Sequence, residues 1–372
     1  MVSDQGPMTG IGTYAEELTK LVRPLFDEVN LVSLSARSNA EPPEHSNWTG
    51  NRFDAKGVSV AWERPPDSRF ATSIFDVRRT ISHNLKAFLK FAPRLSRVHF
   101  CGSFYKTIDS FQRPVVTLHD FYPRLSNTYA ITKPHIIMRD LVSLWDFVTI
   151  PRELRKASSI VVPTNHVAQD LERRTGLTSV PIHHWIAPGF SAQISKSQAR
   201  AMLGLPEDKT IILNVSSGTS NKNLPLLRRI ASRLPMDFLM VKVGESIGVR
   251  GPVKYFEKLS PYDYSSLFLA SDMYLHTSLE EGFGIPLIEA ISSSLPVISL
   301  SVAVSHEVMG KSAIYVSRDA KIESWITAIE DMRTEAVRDR VLREYKSTMQ
   351  HYLPSRALRE YAHMYSNSFV DT

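Results

Sequence analysis

Short apolar segments alternate with longer segments of helical periodicity along most of the chain. The short segments are rich in β-branched residues, and several are apolar without the alternation of a half-exposed strand. They lie at 115–118, 159–162, 211–215, 238–243, 273–277 and 296–300. Strands buried on both faces and joined by helices are typical of parallel sheets covered by helices on both sides. We therefore predict an α/β fold.

The 372 residues are more than one hydrophobic core usually holds, which favours two domains. A Pro188-Gly189 pair follows an apolar run and precedes a polar stretch, so we place a boundary there. The predicted domains span 1–188 and 189–353. Apolar residues at helical spacing predict one further helix in the remaining segment, 354–372.

The first residues, Val2, Ser3 and Asp4, resemble the tail of a strand rather than a whole strand. The first strand is therefore expected to be truncated. Two explanations stay open: the start codon lies upstream, or the domain tolerates a short edge strand.

Composition narrows the class of protein. The chain is 43% apolar and 22% charged, as in ordinary globular proteins. Its one cysteine, Cys101, cannot form an internal disulfide, no secretory signal is evident, and no apolar run approaches the roughly 18 residues that span a bilayer. We therefore predict a cytoplasmic location. The net charge of +6 favours anionic partners, and by charge alone nucleic acid, phospholipid and nucleotide diphosphate all qualify.

The segment 273–289 predicts a strand, a glycine-rich turn and a helix that begins at Pro286. Backbone N–H groups at 282–285 would then face outward at the positive end of the helix dipole, which suits a diphosphate. Glu281 and Glu289 flank this turn, where carboxylates can bind sugar and ribose hydroxyls. Each glutamate alone could equally be a surface residue that compensates the helix dipole, but their combination with the turn favours a binding site.

The sequence EGFGIPLIE at 281–289 closely resembles the EGFGLPxxE signature of the family-4 retaining glycosyltransferases, which have the GT-B fold. The resemblance implies that Glu281 contacts the transferred sugar and that Glu289 binds the ribose hydroxyls. It also implies that the backbone of the turn holds the sugar and the pyrophosphate. The donor-binding residues of the turn are Gly282, Phe283, Gly284 and Ile285.

Weaker matches to the same family follow in the right order along the chain. They are 9–14 (TGIGTY), 116–120 (VTLHD), 161–165 (VVPTN), 186–189 (IAPG) and 305–310 (SHEVMG). The resemblance implies that Gly10 and Gly12 form a glycine loop near the acceptor and the diphosphate. It places His119 beside the sugar at the reaction centre. Without the resemblance, the simpler interpretation is a histidine that is hydrogen-bonded at the end of a strand. Asp120 could bind an acceptor or cap the next turn.

One segment departs from the family. The family usually has VGRxxxxKN, whereas residues 215–223 read VSSGTSNKN. Lys222 is kept and is predicted to carry the diphosphate charge, while Ser217 occupies the position of the arginine on the same donor side.

Other classes of site fit the sequence less well. Residues 10–15 match the dinucleotide pattern GxGxxA, but no carboxylate follows the second predicted strand at 30–35. His183 and His184 are adjacent, so on a strand they point to opposite faces, and no other cluster has metal-ligand spacing. No GxSxG elbow occurs. We predict no metal, no cofactor and no hydrolase triad.

A basic amphipathic stretch spans 74–98, with apolar residues at helical spacing and lysines and arginines between them. Such a stretch can lie on an anionic membrane. The favoured alternative is a helix packed on the sheet with a solvated basic face.

The resemblance implies two facing Rossmann-like domains with parallel sheets, the donor mainly on the second, and a C-terminal helix that crosses back to the first. The expected reaction moves a hexosyl group, of mannosyl or glucosyl type, from a UDP- or GDP-sugar to a hydroxyl of a glycan or lipid-linked saccharide. It would retain anomeric configuration without a metal, in polysaccharide or glycoconjugate biosynthesis, at the inner face of the cell membrane if the basic stretch binds there. The alternatives are a GT-B epimerase or phosphorylase, or a non-catalytic sugar-binding homologue. No nucleic acid partner is expected, and the oligomeric state is not predicted.

Overall fold

The computed structural model describes residues 2–3, 10–26, 32–33, 52–55, 58–61, 97–101, 113–120, 150–190, 193–249, 251–257 and 259–369. The predicted basic stretch at 74–98 lies almost wholly outside these residues. No helix in the described ranges is long and apolar enough to cross a bilayer.

The described strands follow the predicted apolar segments closely. In chain order, β1 to β14 are Val2–Ser3, Val32–Ser33, Arg52–Ala55, Val58–Ala61, His99–Phe100, Val115–Thr117, Ser159–Val162, Val180–Pro181, Thr210–Ser216, Phe238–Gly244, Val253–Phe256, Met273–His276, Val297–Leu300 and Ala313–Val316. The α-helices α1 to α11 are Gly10–Val22, Asn165–Thr175, Lys196–Leu203, Leu224–Ala231, Pro261–Ala270, Ile285–Ser292, Ala303–Met309, Ile322–Met332, Glu335–Arg343, Tyr345–Met349 and Pro354–Ser368. Short 3₁₀ turns occupy Arg23–Leu25, Ser220–Lys222 and Gln350–Tyr352.

Two parallel sheets organise the molecule. The first has the strand order β2-β1-β5-β6-β7-β8 and the second β11-β10-β9-β12-β13-β14, each with six strands, while β3 and β4 form a separate antiparallel pair. Because all pairs within the two sheets are parallel, the carboxyl ends of the strands of each sheet lie at one edge. The predicted α/β fold with two parallel sheets is confirmed. We call the strands of the first sheet with α1 and α2 the N-terminal half, and the strands of the second sheet with α3 to α10 the C-terminal half.

The structure contradicts one of the two explanations offered for the short first strand. β1 pairs with β2 on one side and β5 on the other, so it lies inside the sheet and is not an edge strand. The alternative of a short edge strand is therefore excluded, because position in a parallel sheet depends on pairing partners far along the chain. The predicted glycine loop also differs, since Gly10 and Gly12 belong to the first turn of α1.

Local side-chain chemistry sets the helix boundaries in the C-terminal half. Ser195 caps α3 by accepting a hydrogen bond from Gln198 N, and the Gln198 side chain accepts one from Ser195 N, which forms a capping box. Gly204 then ends α3 in the left-handed conformation that favours glycine. Ser260 caps α5 by accepting a hydrogen bond from Asp263 N, and Pro261 is the first residue of the helix.

The C-terminal half encloses one continuous core beneath both faces of its sheet. Strands β12 and β13 are buried at every position, as expected for central parallel strands. Helix α6 faces this core with four buried apolar side chains, and burial of each leucine or isoleucine among them contributes about 1.5–3 kcal/mol. They are Leu287, Ile288, Ala290 and Ile291. This packing fixes the start of α6 against the end of β12.

The last helix, α11, returns to the N-terminal half as the resemblance implied. Its buried residues pack with those of α1 in one cluster, which includes Tyr14, Leu18, Tyr361, Met364 and Tyr365. A GT-B arrangement with a C-terminal helix that crosses back is therefore confirmed.

A buried chain of hydrogen bonds between neutral groups accompanies this packing. Tyr365 OH lies 2.6 Å from His99 Nδ1, and His99 Nε2 lies 2.7 Å from Thr117 Oγ1. Thr117 Oγ1 lies 3.1 Å from Tyr14 OH, which also bonds Tyr361 OH. Burial holds the pKa of His99 well below its usual value, so this chain carries no formal charge at neutral pH.

The peptide chain passes between the halves twice, and the two passages lie side by side. Ile186 N, in the segment after β8, donates to Tyr352 O, just before α11, at 3.0 Å. The predicted boundary after residue 188 falls between the last strand of the first sheet and the first strand of the second, and it stays a prediction.

Candidate active site

The glycine-rich turn between β12 and α6 is built to present backbone N–H groups. Gly284 adopts a left-handed conformation, with φ of +88°, immediately before α6. The helix begins at Ile285, one residue earlier than predicted, with Pro286 in its first turn. Among the described residues, no backbone carbonyl accepts a hydrogen bond from the N–H groups at 283–285. Unpaired amides at the positive end of a helix form an anion site.

Glu281 precedes this turn and forms an ion pair with Lys222. The Lys222 Nζ donates to Glu281 Oε1 at 2.6 Å, and the carboxylate is almost fully buried. Burial raises the pKa of Glu281, but the charge of Lys222 and the nearby His276 more than offset this, so the pKa is lowered. Glu281 is therefore ionised at neutral pH, and its partner is a cation that a phosphate could also bind.

Lys222 reaches Glu281 because the loops after β9 and β12 are tied together. Asn221 Nδ2 donates to Glu280 O at 2.9 Å, and Thr277 Oγ1 donates to Lys222 O at 3.0 Å. The structure therefore brings the predicted Lys222 and Glu281 into one site. Ser217 lies in the same loop but is exposed, and its hydroxyl bonds Thr219 at 3.0 Å, so it supplies no charge.

Glu289 lies one turn into α6, as predicted. Its Oε2 accepts a hydrogen bond from Tyr264 OH at 2.7 Å. Burial raises the pKa of Glu289 to about 7, although the hydrogen bond from Tyr264 lowers it. This carboxyl group therefore changes charge near neutral pH.

His276 ends β12 directly beneath the turn, and its position was not predicted. A Cβ built on Gly284 would lie 3.8 Å from His276 Cε1, which shows how closely the ring approaches the turn. The ring is buried, and no described group bonds its Nε2. Burial lowers the pKa of His276 to about 4, so the ring is neutral. Like His119, His276 lies at the carboxyl end of an apolar strand, and this position in the sequence could have identified it.

His119 lies at the corresponding edge of the first sheet, directly after β6. Its Nε2 lies 3.3 Å from Cys101 O, and because a carbonyl can only accept, Nε2 carries the hydrogen. The other ring nitrogen, Nδ1, is then an acceptor. Burial lowers the pKa of His119 to about 4, so the ring stays neutral at physiological pH.

Aromatic rings surround His119. Tyr14 meets its ring edge-on at 4.8 Å, and His184 stacks at 6.1 Å. His184 in turn meets Phe283 of the glycine-rich turn edge-on at 4.8 Å. The sequence analysis considered His184 only as half of a metal pair and missed this position. The adjacent His183 bonds Glu307 through its Nε2, and its ring also lies near Phe283, 5.9 Å between centroids.

Gly282 joins the two halves at closest range. A Cβ at this position would lie 1.8 Å from His119 O and 3.6 Å from the Asp120 Cβ, so a larger residue cannot be accommodated. Thr164 Oγ1, at the start of α2, donates to Gly282 O at 3.0 Å. The predicted donor turn and the predicted His119 and Asp120 are therefore adjacent across the two halves. A role for Asp120 in acceptor binding stays a prediction.

Glu307 of α7 makes a second contact between the halves. It accepts hydrogen bonds from Asn165 N at 2.7 Å, Asn165 Nδ2 at 3.0 Å, His166 N at 2.9 Å and His183 Nε2 at 2.9 Å. Burial raises the pKa of Glu307, but these hydrogen bonds outweigh it and the pKa is lowered. The sequence matched the surrounding segment to the family without giving this glutamate a role.

No described group of three or more His, Cys, Asp or Glu side chains is arranged to hold a metal ion. The expected absence of a metal and of a cofactor stays a prediction.

Two parallel sheets with facing edges and a returning helix define a GT-B protein, and solved structures agree. Sucrose-phosphate synthase from Thermosynechococcus elongatus aligns with a TM-score of 0.74 at 15% identity, over 96% of this chain and 93% of that chain. HepE from Anabaena, in complex with UDP and glucose, aligns with a TM-score of 0.69 at 12% identity, over 98% of each chain. Identities this low establish the fold alone.

The sequence of the C-terminal half matches a known family. Residues 195–347 match the family described as Glycosyl transferases group 1. The chain is 34% identical over 84 residues to the O-antigen chain mannosyltransferase RfbU of Salmonella typhimurium, and this alignment covers 23% of the chain and 24% of RfbU. The chain is 31% identical over 130 residues to the lipopolysaccharide glucosyltransferase WaaG of Escherichia coli, and this alignment covers 30% of the chain and 34% of WaaG. The chain thus matches a quarter to a third of these relatives' length.

Proposed function

We propose that the protein is a family-4 retaining glycosyltransferase that moves a mannosyl- or glucosyl-type hexosyl group from a UDP- or GDP-sugar to an acceptor hydroxyl. The observation that carries this proposal is the geometry at Gly282. There, unpaired amides and the ionised Lys222–Glu281 pair on one half lie against the neutral His119 of the other. A nucleotide sugar has the matching parts, since its diphosphate is anionic and its sugar is neutral.

The donor would bind mainly to the C-terminal half. Its diphosphate accepts hydrogen bonds from the amides at 283–285 and competes with Glu281 for Lys222, which leaves the carboxylate of Glu281 to accept hydrogen bonds from sugar hydroxyls. Glu289 binds the ribose hydroxyls. Negative charge develops on the departing diphosphate, so Lys222 and the start of α6 stabilise the transition state rather than the ground state alone. In this proposal no metal ion takes part.

His119 would orient the sugar from the N-terminal half. Its Nδ1 is an acceptor, and it can receive a hydrogen bond from a sugar hydroxyl without a change of charge. Together with Tyr14, His184 and Phe283 it forms an apolar wall that excludes water from the reacting carbon. Exclusion of water favours transfer over hydrolysis.

The bond changes follow from the retaining outcome, which we propose from the resemblance of residues 281–289 to the family-4 signature. The bond between the anomeric carbon and the phosphate oxygen breaks as the acceptor oxygen attacks from the same face. The leaving phosphate oxygen takes the acceptor proton. Glu281 positions the sugar and forms no covalent bond to it.

The acceptor would be a glycan or a lipid-linked saccharide. Two relatives are named for transfer to O-antigen and to lipopolysaccharide, and HepE was solved with UDP and glucose. We propose a cytoplasmic enzyme of polysaccharide or glycoconjugate biosynthesis that works at the inner face of the cell membrane. The basic stretch at 74–98 supports contact with anionic lipid.

The test begins with a panel of UDP-, GDP- and ADP-sugars, scored by the rise in melting temperature that a bound donor produces. The stabilising donor is then incubated with saccharide acceptors, nucleotide release is measured, and the anomeric configuration of the product is read by NMR. Glu281→Ala should lower transfer by about 100-fold or more while the fold is preserved. Glu280→Gln is the matched control, because its side chain is exposed and only its carbonyl is used.

Each alternative gives a different result in this assay. Epimerisation of the donor without an acceptor indicates an epimerase, and a requirement for free phosphate indicates a phosphorylase. Binding without release of nucleotide indicates a sugar-binding homologue. Full transfer activity in Glu281→Ala would contradict the proposal.

A further inference from the structure

The sheet of the C-terminal half contains a buried lysine, Lys242, that has no role in the proposed reaction. The side chain of Lys242, on β10, is fully buried. Its Nζ donates to Ser216 O and to Val243 O, both at 2.6 Å. No carboxylate of the described residues forms an ion pair with it. An unpaired buried charge destabilises a fold, and an apolar residue of similar volume would fill the same space.

The side chain of Lys242 extends toward the edge of the sheet where the candidate active site lies. In the register of β9 and β10, Lys242 pairs with Asn214 and Gly244 pairs with Ser216. Because Nζ reaches Ser216 O, it lies two residues closer to the carboxyl ends of the strands than its own Cα. A Cβ built on Gly244 would lie 3.6 Å from Nζ. The ammonium group therefore lies just beneath the last backbone of both strands.

Charged groups from two loops act on this ammonium group. Lys222 follows β9, and Glu245 follows β10 and folds over Gly218, whose Cβ would lie 3.0 Å from the Glu245 Cγ. Burial lowers the pKa of Lys242 to about 8, Glu245 raises it, and the charge of Lys222 lowers it further. The two lysines are thus close enough to influence each other at the same edge of the sheet.

We propose that Lys242 is a positioning residue for the diphosphate of the donor. Its ammonium group holds the carboxyl ends of β9 and β10 together, which fixes the loop that carries Lys222. It also places a second positive charge behind that loop, where the diphosphate binds. This inference rests on the proposed function, because it assumes that a nucleoside diphosphate occupies the site.

The experiment separates binding of the phosphates from binding of the nucleoside. Calorimetry compares UDP, GDP and ADP with uridine, guanosine and adenosine, in the wild-type protein and in Lys242→Met. We expect the variant to bind the preferred diphosphate about tenfold more weakly and the nucleoside with unchanged affinity, since only the phosphates interact strongly with the missing charge. Lys242→Arg should restore most of the diphosphate affinity.

The wild-type protein provides a second readout. As pH rises from 7 to 9.5, Lys242 loses its proton, so the ratio of diphosphate to nucleoside affinity should fall about tenfold. The terminal phosphate has a second pKa of about 6 and gains only a little negative charge over this range, which would raise the ratio rather than lower it. In Lys242→Met the ratio should stay flat.

Lys254 offers a matched control, because it also bonds two backbone carbonyls. Its Nζ donates to Leu203 O at 2.9 Å and to Gly204 O at 2.8 Å, from β11 at the margin of the same sheet. Lys254→Met should lower the melting temperature and leave the affinity ratio unchanged.

The outcomes are distinct. A lower melting temperature in Lys242→Met with an unchanged affinity ratio overturns the inference and makes the lysine purely structural. If that variant does not fold, Lys242→Gln and the wild-type pH series decide, and a ratio that is flat with pH overturns the inference. If the wild-type protein binds no nucleoside diphosphate at all, the proposed function itself fails.

Discussion

The facing edges of the two sheets differ in charge. The edge of the C-terminal half carries Glu281, Lys222 and Glu289, and the ionised pair among them lies within hydrogen-bonding distance. The edge of the N-terminal half carries His119, His184 and Tyr14, and burial keeps both histidines neutral. In the proposed function, the charged diphosphate binds at the first of these edges and the neutral sugar faces the second. The difference in charge between the edges can be tested at individual residues.

Gly282→Ala should have the largest effect, because it separates the two edges without altering either. The added Cβ would lie 1.8 Å from His119 O; the Cβ is attached rigidly to the backbone and the oxygen is part of it, so neither atom can rotate away. We expect transfer activity to fall by about 100-fold or more, as misplacement of reacting groups by an ångström costs this much. Small-angle scattering should show a more open molecule with intact halves.

Gly251→Ala is the control for that substitution. A Cβ there meets only Val249 Cγ1, at an ordinary 3.6 Å, so activity and scattering should not change. Full activity in Gly282→Ala would show that the edges need not touch for transfer.

Glu307→Gln should have the next largest effect, since Glu307 brings a charge of the C-terminal half into the N-terminal half. The substitution replaces one oxygen by an N–H donor that opposes His166 N, and we expect the free energy of unfolding to fall by about 2 kcal/mol. The pKa of Glu307 is lowered in the fold, so its stabilisation is present above the unfolded pKa of the carboxyl group. It should disappear as pH falls through the lower folded pKa. Denaturant titrations at several pH values measure this.

The exposed pair of Glu330 and Arg333, 3.3 Å apart, gives a comparison. Glu330→Gln should change the unfolding free energy by less than about 0.5 kcal/mol at any pH. An equally small change in Glu307→Gln would mean that the contact between the halves is not stabilising.

Glu289→Gln tests the charge at the edge of the C-terminal half, because the effect of this substitution should depend on pH. The pKa of Glu289 is raised to about 7, so the carboxylate that we propose binds ribose forms mainly above neutrality. Wild-type affinity for the nucleoside should rise between pH 6 and pH 8. The variant should bind about tenfold more weakly at pH 8 and differ little at pH 6. For a 2′-deoxynucleoside, calorimetry should show a smaller difference in affinity between the variant and the wild-type protein.

Stability should follow the opposite course at Glu289. A carboxyl group with a raised folded pKa destabilises the fold as pH rises from its unfolded pKa through about 7, so Glu289→Gln should be the more stable protein at pH 8. Equal stability at pH 5 and at pH 8, relative to the wild type, would contradict the raised pKa.

Tyr365→Phe should have the smallest effect, because the groups it disturbs in the N-terminal half are neutral. It removes the hydrogen bond to His99 Nδ1 and should lower the unfolding free energy by about 1 kcal/mol. Thermal denaturation between pH 6 and 9 should show the same loss throughout. Tyr262→Phe, at an exposed tyrosine, should show none. A loss that varies with pH would mean that His99 titrates.

The sequence predicted those features that depend on neighbours along the chain. Apolar runs located the central strands, and Pro286 with the preceding glycines located the start of α6 to within one residue. The pair of Glu281 and Glu289 followed from the same local pattern. These features are local because strand burial and helix starts are set within a few residues.

Features that depend on distant partners were missed. Glu307 and His184 acquire their roles from residues far away in the sequence, and no spacing rule connects them. The strand position of β1 was misjudged for the same reason. Lys242 did leave a signal, since a single charge inside an otherwise apolar buried strand requires an explanation.

The two adjacent passages between the halves limit how the molecule can open. Because Ile186 N is bonded to Tyr352 O, we expect the passages to act as a single pivot if the halves open, with rotation mainly about one axis. Phe283 lies 5.7 Å from Tyr352, ring to ring, so the glycine-rich turn sits near that axis. During rotation the distant rim sweeps the longest arc, while groups at the turn move little. Large substrates can therefore enter and leave at the rim without disturbing the alignment of the groups near the pivot.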